Sequence, residues 1–189
     1  SLRFDGTNDL VTLSHSTDVW KQSIASLSIW FKAESLADED LIHIHKSGGG
    51  YTDYIALRLA TNGVIKIFGE NGNSSTGYAE TAANAYAANE WNHVVATCAG
   101  TGSNEVKLYL NGVQVAQGTM SSWTQHFDTN FAGLGTSSWY KFKGEMKDVR
   151  YYNRALDADE VKGLYNGEST PHIYSNALTT NHATTGSTW

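Results

Sequence analysis

Short segments in which apolar and polar residues alternate run from residue 2 to residue 152, and they constrain the fold more than any other feature. Successive side chains of a β-strand point to opposite faces, so each segment predicts a strand with one face in a core. Gly, Asn and Asp separate the segments, as turns require. Many short strands of this kind predict an antiparallel sandwich or barrel. The clearest alternation lies at residues 10–13, 27–31, 41–45, 54–59, 64–68, 91–98, 106–110 and 147–152.

Two turns can be predicted from their residues. Asn111-Gly112 stands between the apolar ends of two strand segments, and this dipeptide supplies the two positive φ angles of a type I′ hairpin. A weaker turn signal, at residues 61–63, predicts a connection between segments 56–59 and 64–68.

One helix is predicted after the last strand segment. Asp157 provides an N-cap oxygen, and Glu160 follows three residues later, as in a capping box. Gly167 is placed to end the helix in a left-handed cap, and Pro171 prevents its continuation. The apolar stripe of this helix would consist of Val161, Leu164 and Tyr165.

The length of 189 residues fits one large all-β domain, which we place at residues 1–170. Residues 171–189 are rich in Thr, Asn, Ser and Ala and have no sustained periodicity. We expect them to form a C-terminal arm or a linker to a following domain, and such an arm could contact neighbouring domains or subunits. Cys98 is the only cysteine, so no intrachain disulfide can form.

The sequence contains no apolar run of about 18 residues, so membrane insertion is not predicted. The first residues lack the apolar segment of a signal peptide and begin within a strand pattern. We interpret the sequence as a domain cut from a longer polypeptide, whose export signal, if there is one, lies outside it.

The surface is expected to be neutral and rich in hydroxyl and amide groups. Charged residues make up 17% of the chain, compared with about 25% in typical soluble domains. The formal net charge is -6, and no basic stripe is present to neutralise phosphates. This composition argues against nucleic-acid partners and favours sugars or protein surfaces.

Four stretches, taken in order, resemble the laminin G-like jelly-roll family of the concanavalin A-like lectin/glucanase superfamily. They are residues 2–11, residues 27–32, residues 90–97 with 106–113, and residues 144–156. The resemblance implies an all-β fold, an antiparallel two-sheet β-sandwich (jelly roll, concanavalin A-like) with one short C-terminal helix. We expect the helix to cover a sheet edge, and the first and last stretches to meet at one end.

The resemblance also implies a structural calcium ion (Ca²⁺). The matching positions are Asp5, Asn8, Asp9 and Asp148, whose oxygens have the hard-ligand chemistry that Ca²⁺ prefers. The alternative is an Asx-type turn, in which Asp5 and Asn8 bond backbone amides while Asp148 pairs with Arg150 or Lys147.

Catalytic patterns are weak. A retaining glycosidase needs two carboxylates roughly 5 Å apart, and no Glu-x-Asp-x-Glu strand occurs. The acidic run at residues 38–40 is predicted to be a solvated loop. Polysaccharide lyases of similar fold use Tyr, His and Arg. Residues 43–45 and 140–144 only faintly match that set, and the chain has four arginines. We therefore expect no enzyme activity.

Aromatic residues in predicted loops are the best indication of a binding site. Phe, Trp and Tyr make up 12% of the chain, and such rings carry binding energy at low entropic cost. Each ring taken alone also fits packing beneath a loop. The candidate ligand-binding residues are Tyr51, Tyr54, Tyr78, Trp123, Trp139 and Tyr140, with Asn71 and Asn73 as hydroxyl-binding neighbours.

His43 and His45 lie two residues apart on one predicted strand and therefore face the same side. No third metal ligand is evident nearby, so we favour a polar surface or groove over a zinc site.

These observations lead to a functional hypothesis. We expect a noncatalytic recognition module, carbohydrate-binding and lectin-like, within a larger extracellular, cell-surface or virion-surface protein. The partner would be a glycan or glycoconjugate. Two alternatives stay open, a structural or protein-interaction module of the adhesion or tail-fibre kind and a diverged polysaccharide lyase or glycosidase.

Overall fold

The computed structural model describes residues 1–14, 25–45, 54–71, 74–100, 105–120, 131–135, 139–167 and 179–182. These residues form thirteen strands and one α-helix, α1, at Ala158–Tyr165. The strands are β1 Leu2–Asp5, β2 Val11–Ser14, β3 Ala25–Ala33, β4 Glu39–His45, β5 Tyr54–Ala60, β6 Val64–Asn71, β7 Ser74–Glu80, β8 Asn92–Cys98, β9 Val106–Leu110, β10 Val113–Met120, β11 Phe131–Leu134, β12 Lys143–Tyr152 and β13 Thr179–His182.

All strand pairs are antiparallel, and the strand order is β1-β12-β3-β8-β9-β10-β7-β6-β5-β4-β11-β2-β13. We call the strands from β1 to β10 in this order sheet A, and those from β7 to β13 sheet B. The two sheets are joined where Thr119 and Met120 of β10 pair with Tyr78 and Gly77 of β7. β1 pairs with β12, so the predicted meeting of the first and last stretches is confirmed.

The core lies between the two sheets. In β3, the odd-numbered residues from Ala25 to Ala33 are fully buried and belong to one hydrophobic cluster. The same cluster contains Ile42 and Ile44 of β4 and alternate residues of β5 and β6. Full burial of one such aliphatic side chain stabilises the fold by roughly 1.5–3 kcal/mol. The alternation seen in the sequence is therefore the cause of the sandwich.

The predicted helix is confirmed, but the prediction that it covers a sheet edge is wrong. Asp157 caps α1 and forms a capping box with Glu160, and Gly167 follows the helix with a φ of 77°. The helix packs on the outer face of sheet A, where central strands supply large apolar side chains. This second cluster consists of Val95, Tyr109, Tyr152, Leu156, Val161 and Leu164. Among the described residues, no helix is long and apolar enough to cross a bilayer.

Both predicted turns are confirmed. Asn111 and Gly112 have φ angles of 50° and 81° between β9 and β10, as a type I′ turn requires. Asn62 and Gly63 also have positive φ angles in the 3₁₀ turn between β5 and β6.

Candidate functional site

Among the described residues, a group of polar and aromatic side chains that could bind a ligand lies on the outer face of sheet B. In β4 to β7, side chains alternate between the core and this outer face. The register between the strands aligns the outward-facing side chains in rows across the sheet. We call this surface the sheet B face. Its residues on β4 to β7 are Asp40, His43, His45, Tyr54, Ala56, Arg58, Lys66, Phe68, Glu70, Tyr78 and Glu80.

A buried ion pair anchors the sheet B face. Asp40 is opposite Arg58 in the β4–β5 register, and both side chains are largely buried. Arg58 donates from Nε to Oδ1 of Asp40 at 2.5 Å and from a terminal nitrogen to Oδ2 at 3.1 Å. Nδ1 of His43 lies 3.2 Å from the same Oδ2. Burial acts to raise the pKa of Asp40, but the bonds from His43 and Arg58 outweigh it and lower that pKa.

Aromatic rings surround this ion pair. The Arg58 guanidinium lies 3.8 Å from the ring centroid of Tyr140 and 4.8 Å from that of Phe68. Tyr54 stacks on His43 at 4.9 Å and meets Phe68 edge-on at 5.6 Å. Burial and the neighbouring Glu70 carboxylate raise the pKa of Tyr54. The result is a layer of rings fixed in place by charge pairs.

Where β7 and β10 separate, this layer borders an open groove. The groove has a volume of about 630 Å³ and is lined by Tyr78, Glu80, Gln117 and neighbouring backbone. Tyr78 is 56% exposed and lies opposite Phe68 in the register. A Cβ atom on Gly118 would lie 1.9 Å from the carbonyl oxygen of Tyr78, so only glycine permits the two strands to approach this closely.

The structure brings three of the predicted ligand-binding residues to this side of the sandwich. Tyr54 and Tyr78 lie on the sheet B face, and Tyr140 covers Arg58. Trp139 precedes Tyr140 and is 70% exposed. Asn71 is the last residue of β6, while Tyr51, Asn73 and Trp123 lie outside the described residues.

The prediction of a solvated loop at residues 38–40 is wrong for two of the three residues. Asp38 is exposed, but Glu39 and Asp40 are buried in β4. Arg58 compensates Asp40, and local sequence does not indicate this partner because it is 18 residues away. An arginine in an otherwise apolar strand segment was the one signal that could have found it.

Glu39 is buried at the start of β4, near Tyr86. Burial raises the pKa of Glu39 to about 7, although the Lys143 backbone amide and the Ser35 hydroxyl donate hydrogen bonds to it. Its Oε2 atom has no hydrogen-bond partner among the described residues. Glu39 is therefore largely protonated in mildly acidic solution.

Three of the four predicted calcium positions lie in one turn. Oδ1 of Asp5 accepts hydrogen bonds from the backbone amides of Thr7 and Asn8, and Oδ2 of Asp9 accepts one from the amide of Asp5. Asp148 lies five residues along β12 from Lys143, the register partner of Asp5, and pairs with Arg150.

The structure thus brings Asp5, Asn8 and Asp9 together in one turn and places Asp148 further along β12. Nowhere in the part of the chain that the structure describes do three or more His, Cys, Asp or Glu side chains form a group able to hold a metal. The same holds around His43 and His45, whose ring centroids are 5.5 Å apart on the sheet B face.

The outer face of sheet A is less suited to a soluble ligand because α1 covers it. His93 is buried there, stacks on Trp30 at 5.0 Å, and has its pKa lowered to about 4 by burial. Lys147 lies over the rings of Trp30 and Trp91. A cleft of about 370 Å³ also opens between the two sheets, but most of its walls are apolar residues such as Leu27 and Met146.

An antiparallel jelly-roll sandwich with one short C-terminal helix defines the concanavalin A-like class of proteins. A sequence model of the Laminin_G_3 family, of the concanavalin A-like lectin/glucanases superfamily, matches residues 5–162. The chain therefore belongs to this family, and the resemblance and fold class predicted from the sequence are confirmed.

Three individual proteins illustrate what the chain is similar to. The adhesion G-protein coupled receptor V1 of Danio rerio is 24% identical over 158 residues, which are 79% of this chain and 2% of the receptor. Ruminococcus gnavus IT-sialidase CBM40, bound to α2,3-sialyllactose, has a TM-score of 0.68 and 18% identity, with 87% of this chain and 98% of that chain covered.

Domain 4 of AbnA, an extracellular arabinanase from Geobacillus stearothermophilus in complex with arabinotriose, has a TM-score of 0.65 and 21% identity. The match covers 86% of this chain and 75% of that one. At these identities the two solved structures establish a shared fold.

Proposed function

We propose that this chain is a noncatalytic carbohydrate-recognition module that binds saccharides at the groove beside Tyr78 on the sheet B face. The observation that carries the proposal is an exposed tyrosine ring at a polar groove, backed by a buried layer of rings and paired charges. A sugar has apolar C–H faces and a rim of hydroxyl groups, so it needs both a ring to stack on and polar groups beside that ring.

The groove supplies both kinds of contact. Tyr78 presents its ring, while Glu80 and Gln117 offer a carboxylate and an amide to hydroxyl groups. Phe68 lies directly opposite Tyr78 on the neighbouring strand, within the distance at which cross-strand side chains can pack together. Trp139 is a second exposed ring and precedes Tyr140, which covers Arg58.

Two observations support a noncatalytic role. Asp40 is occupied by Arg58 and His43, so it is not available to attack or protonate a sugar. Glu39 pairs in the β4–β5 register with the core residue Leu59, away from the groove. Two free carboxylates at glycosidase spacing are therefore absent from β4 and β5.

The setting that we propose is a larger extracellular, cell-surface or virion-surface protein. The chain spans 2% of the curated receptor that it matches, and the arabinanase with a similar domain is described as extracellular. Within residues 171–189, Thr179–His182 form β13 at the edge of sheet B, and we propose that this segment contacts a neighbouring domain.

A second candidate function, protein interaction, rests on exposed apolar side chains at the start of β10. Val113 and Val115 are 64% and 41% exposed and lie near Tyr165 of α1. If the protein stayed monomeric at all concentrations and bound no saccharide, this result would argue against both functions.

A glycan array probed with the wild-type chain and two variants tests the proposal. Tyr78→Ala should reduce the bound signal at least tenfold, because it removes the stacking ring. Tyr165→Ala is the matched control, since it removes a partly exposed tyrosine of α1, on the other side of the sandwich, and should leave binding unchanged. Absence of binding above background, or equal loss in both variants, would overturn the proposal.

A further inference from the structure

The charges of the sheet B face indicate which class of saccharide it accepts. Strands β4 to β7 contain two cationic side chains, Arg58 and Lys66, and both lie on this face. A carboxylated sugar, such as a sialic or uronic acid, needs a cation whose hydrogen-bond donors are free. The state of these two cations bears on the choice between acidic and neutral ligands on the sheet B side of the groove. Lys107 of β9, the register partner of Gln117, is a third cation, on the sheet A side.

Arg58 is already fully engaged. Its Nε and one terminal nitrogen form a two-point contact with Asp40, which is the geometry that a ligand carboxylate would need. Tyr140 and Phe68 cover the guanidinium, and the residue is only 7% exposed. A ligand carboxylate could reach this group only by displacing Asp40.

Lys66 is balanced by acidic neighbours. It lies directly opposite Glu80 in the β6–β7 register, and its ammonium is 5.2 Å from the centroid of the Phe68 ring. Glu70, two strand positions beyond Phe68, adds a further negative charge to the same face. The described part of this face carries three carboxylates, from Asp40, Glu70 and Glu80, and two cations, so its net charge is negative.

The groove itself also has a negatively charged lining. Glu80 lines it two residues from Tyr78, about 7 Å along the strand, and Gln117 is its uncharged partner on β10. A carboxylate on a sugar stacked at Tyr78 would meet the like charge of Glu80. Hydroxyl groups at the same position would instead donate hydrogen bonds to that carboxylate and to the amide oxygen of Gln117.

We propose that the groove beside Tyr78 selects neutral, hydroxyl-only saccharides and rejects carboxylated ones. This inference rests on the proposed carbohydrate-binding function and adds the ligand class to it. Of the two similar structures described above, one holds acidic sialyllactose and the other neutral arabinotriose. In this chain, Arg58 is already paired with Asp40 and Glu80 would repel a ligand carboxylate, so both residues favour neutral ligands.

The test uses immobilised saccharides matched in length and linkage but not in charge, such as α-1,4-linked trigalactose and trigalacturonate, in which a carboxylate replaces each exocyclic CH2OH group. A wider set of neutral and acidic oligosaccharides on the same array gives the overall preference. For the wild-type chain, we expect neutral members to bind about tenfold or more tightly than their acidic partners. Acidic members that bind equally well or better would overturn the inference while leaving carbohydrate binding intact.

Two charge variants separate a local effect from the net charge of the protein. Glu80→Gln removes the groove carboxylate and should move the neutral-to-acidic ratio toward one. Asp159→Asn changes the net charge by the same amount at an exposed position on α1 and should leave the ratio unchanged. Equal effects of the two variants would overturn a local origin, and a chain that binds neither class would overturn both this inference and the proposed function.

Discussion

Asp40 and Arg58 face each other across β4 and β5 and form a buried, two-point ion pair, with 2.5 Å between Nε and Oδ1. Their side chains are almost completely removed from solvent. The pair fixes the position of His43 through Asp40 and of Tyr140 through Arg58. The aromatic layer behind the groove therefore depends on one charge pair.

Removing the carboxylate of this pair should strongly destabilise the protein. Asp40→Ala leaves a buried guanidinium without its counter-charge, and such losses typically cost about 3–5 kcal/mol. The free energy of unfolding in urea measures the effect.

Two further variants control this measurement. Asp159→Asn, at an exposed position, should change the stability by less than about 0.5 kcal/mol. Asp40→Asn combined with Arg58→Met should recover part of the loss, because no unpaired charge remains buried. A small effect of Asp40→Ala, below about 1 kcal/mol, would mean that the pair does not organise this face.

Glu39 should make the protein less stable as the pH rises. Its pKa is about 7 in the folded chain and 4.5 in the unfolded chain, so the folded state holds the extra proton. The contribution of Glu39 is fully present below pH 4.5 and is lost as the pH rises through 7, a loss on the order of 2–3 kcal/mol.

Urea unfolding of the wild type and of Glu39→Gln between pH 4.5 and 8 measures this dependence. The variant cannot ionise and should lose less stability over this range. Glu90→Gln, which alters an exposed carboxyl group, should follow the wild type. Identical curves for the wild type and Glu39→Gln would show that the Glu39 carboxyl is not held protonated by burial.

The fold could be predicted from local sequence because each of its signals acts over a few residues. Alternation predicted strands such as β3 and β5, Asn111-Gly112 predicted the hairpin, and Asp157 with Glu160 predicted the start of α1. α1 lies over a face of sheet A instead of an edge because β8 and β9 present apolar side chains, such as Val95 and Tyr109, on their outer side. Periodicity shows that such side chains are apolar but does not show which element packs on them.

The candidate site was only partly predictable. Tyr54, Tyr78 and Tyr140 were found by residue type, but the ion pair that supports them was not. Consecutive acidic residues normally indicate a solvent-exposed segment. Only the β4–β5 register, which shifts between Asp40 and Ile42, brings Arg58 opposite Asp40. Register between strands is a tertiary property, so a single sequence gives little information about it.

Alanine at Gly112 should destabilise the β9–β10 hairpin for two separable reasons. The φ of 81° is unfavourable for a residue with a side chain, and the added Cβ would lie 3.2 Å from the Tyr165 ring. Thermal unfolding should give a loss of about 1–2 kcal/mol for Gly112→Ala.

Two other glycines serve as controls for this loss. Gly167 has a φ of 77° with no atom within 4 Å of the added Cβ, so Gly167→Ala isolates the backbone effect. Gly100→Ala meets only ordinary contacts, the nearest at 3.8 Å, and should be nearly neutral. We expect the loss of stability caused by alanine to be largest at Gly112, smaller at Gly167 and smallest at Gly100. A different order would contradict this explanation.

Calcium binding at Asp5, Asn8, Asp9 and Asp148 remains a prediction from the family resemblance. It predicts a higher melting midpoint in calcium, by about 1.4 kcal/mol of stability at ten times the Kd, and a return to the original value with chelator. Asp9→Asn should remove the increase. An unchanged midpoint would contradict calcium binding and leave this turn held by its backbone hydrogen bonds.

The most direct test of the central claim is to map the saccharide contact by NMR on isotopically labelled protein titrated with the tightest-binding neutral oligosaccharide from the array. We predict chemical-shift changes concentrated at Phe68, Tyr78, Glu80 and Gln117, around the groove of the sheet B face. The signals of His93 in sheet A and of Tyr165 in α1, which packs on that sheet, should stay unchanged. Changes centred on α1 and β8, or on the cleft between the sheets, would contradict the claim that the sheet B face is the binding surface.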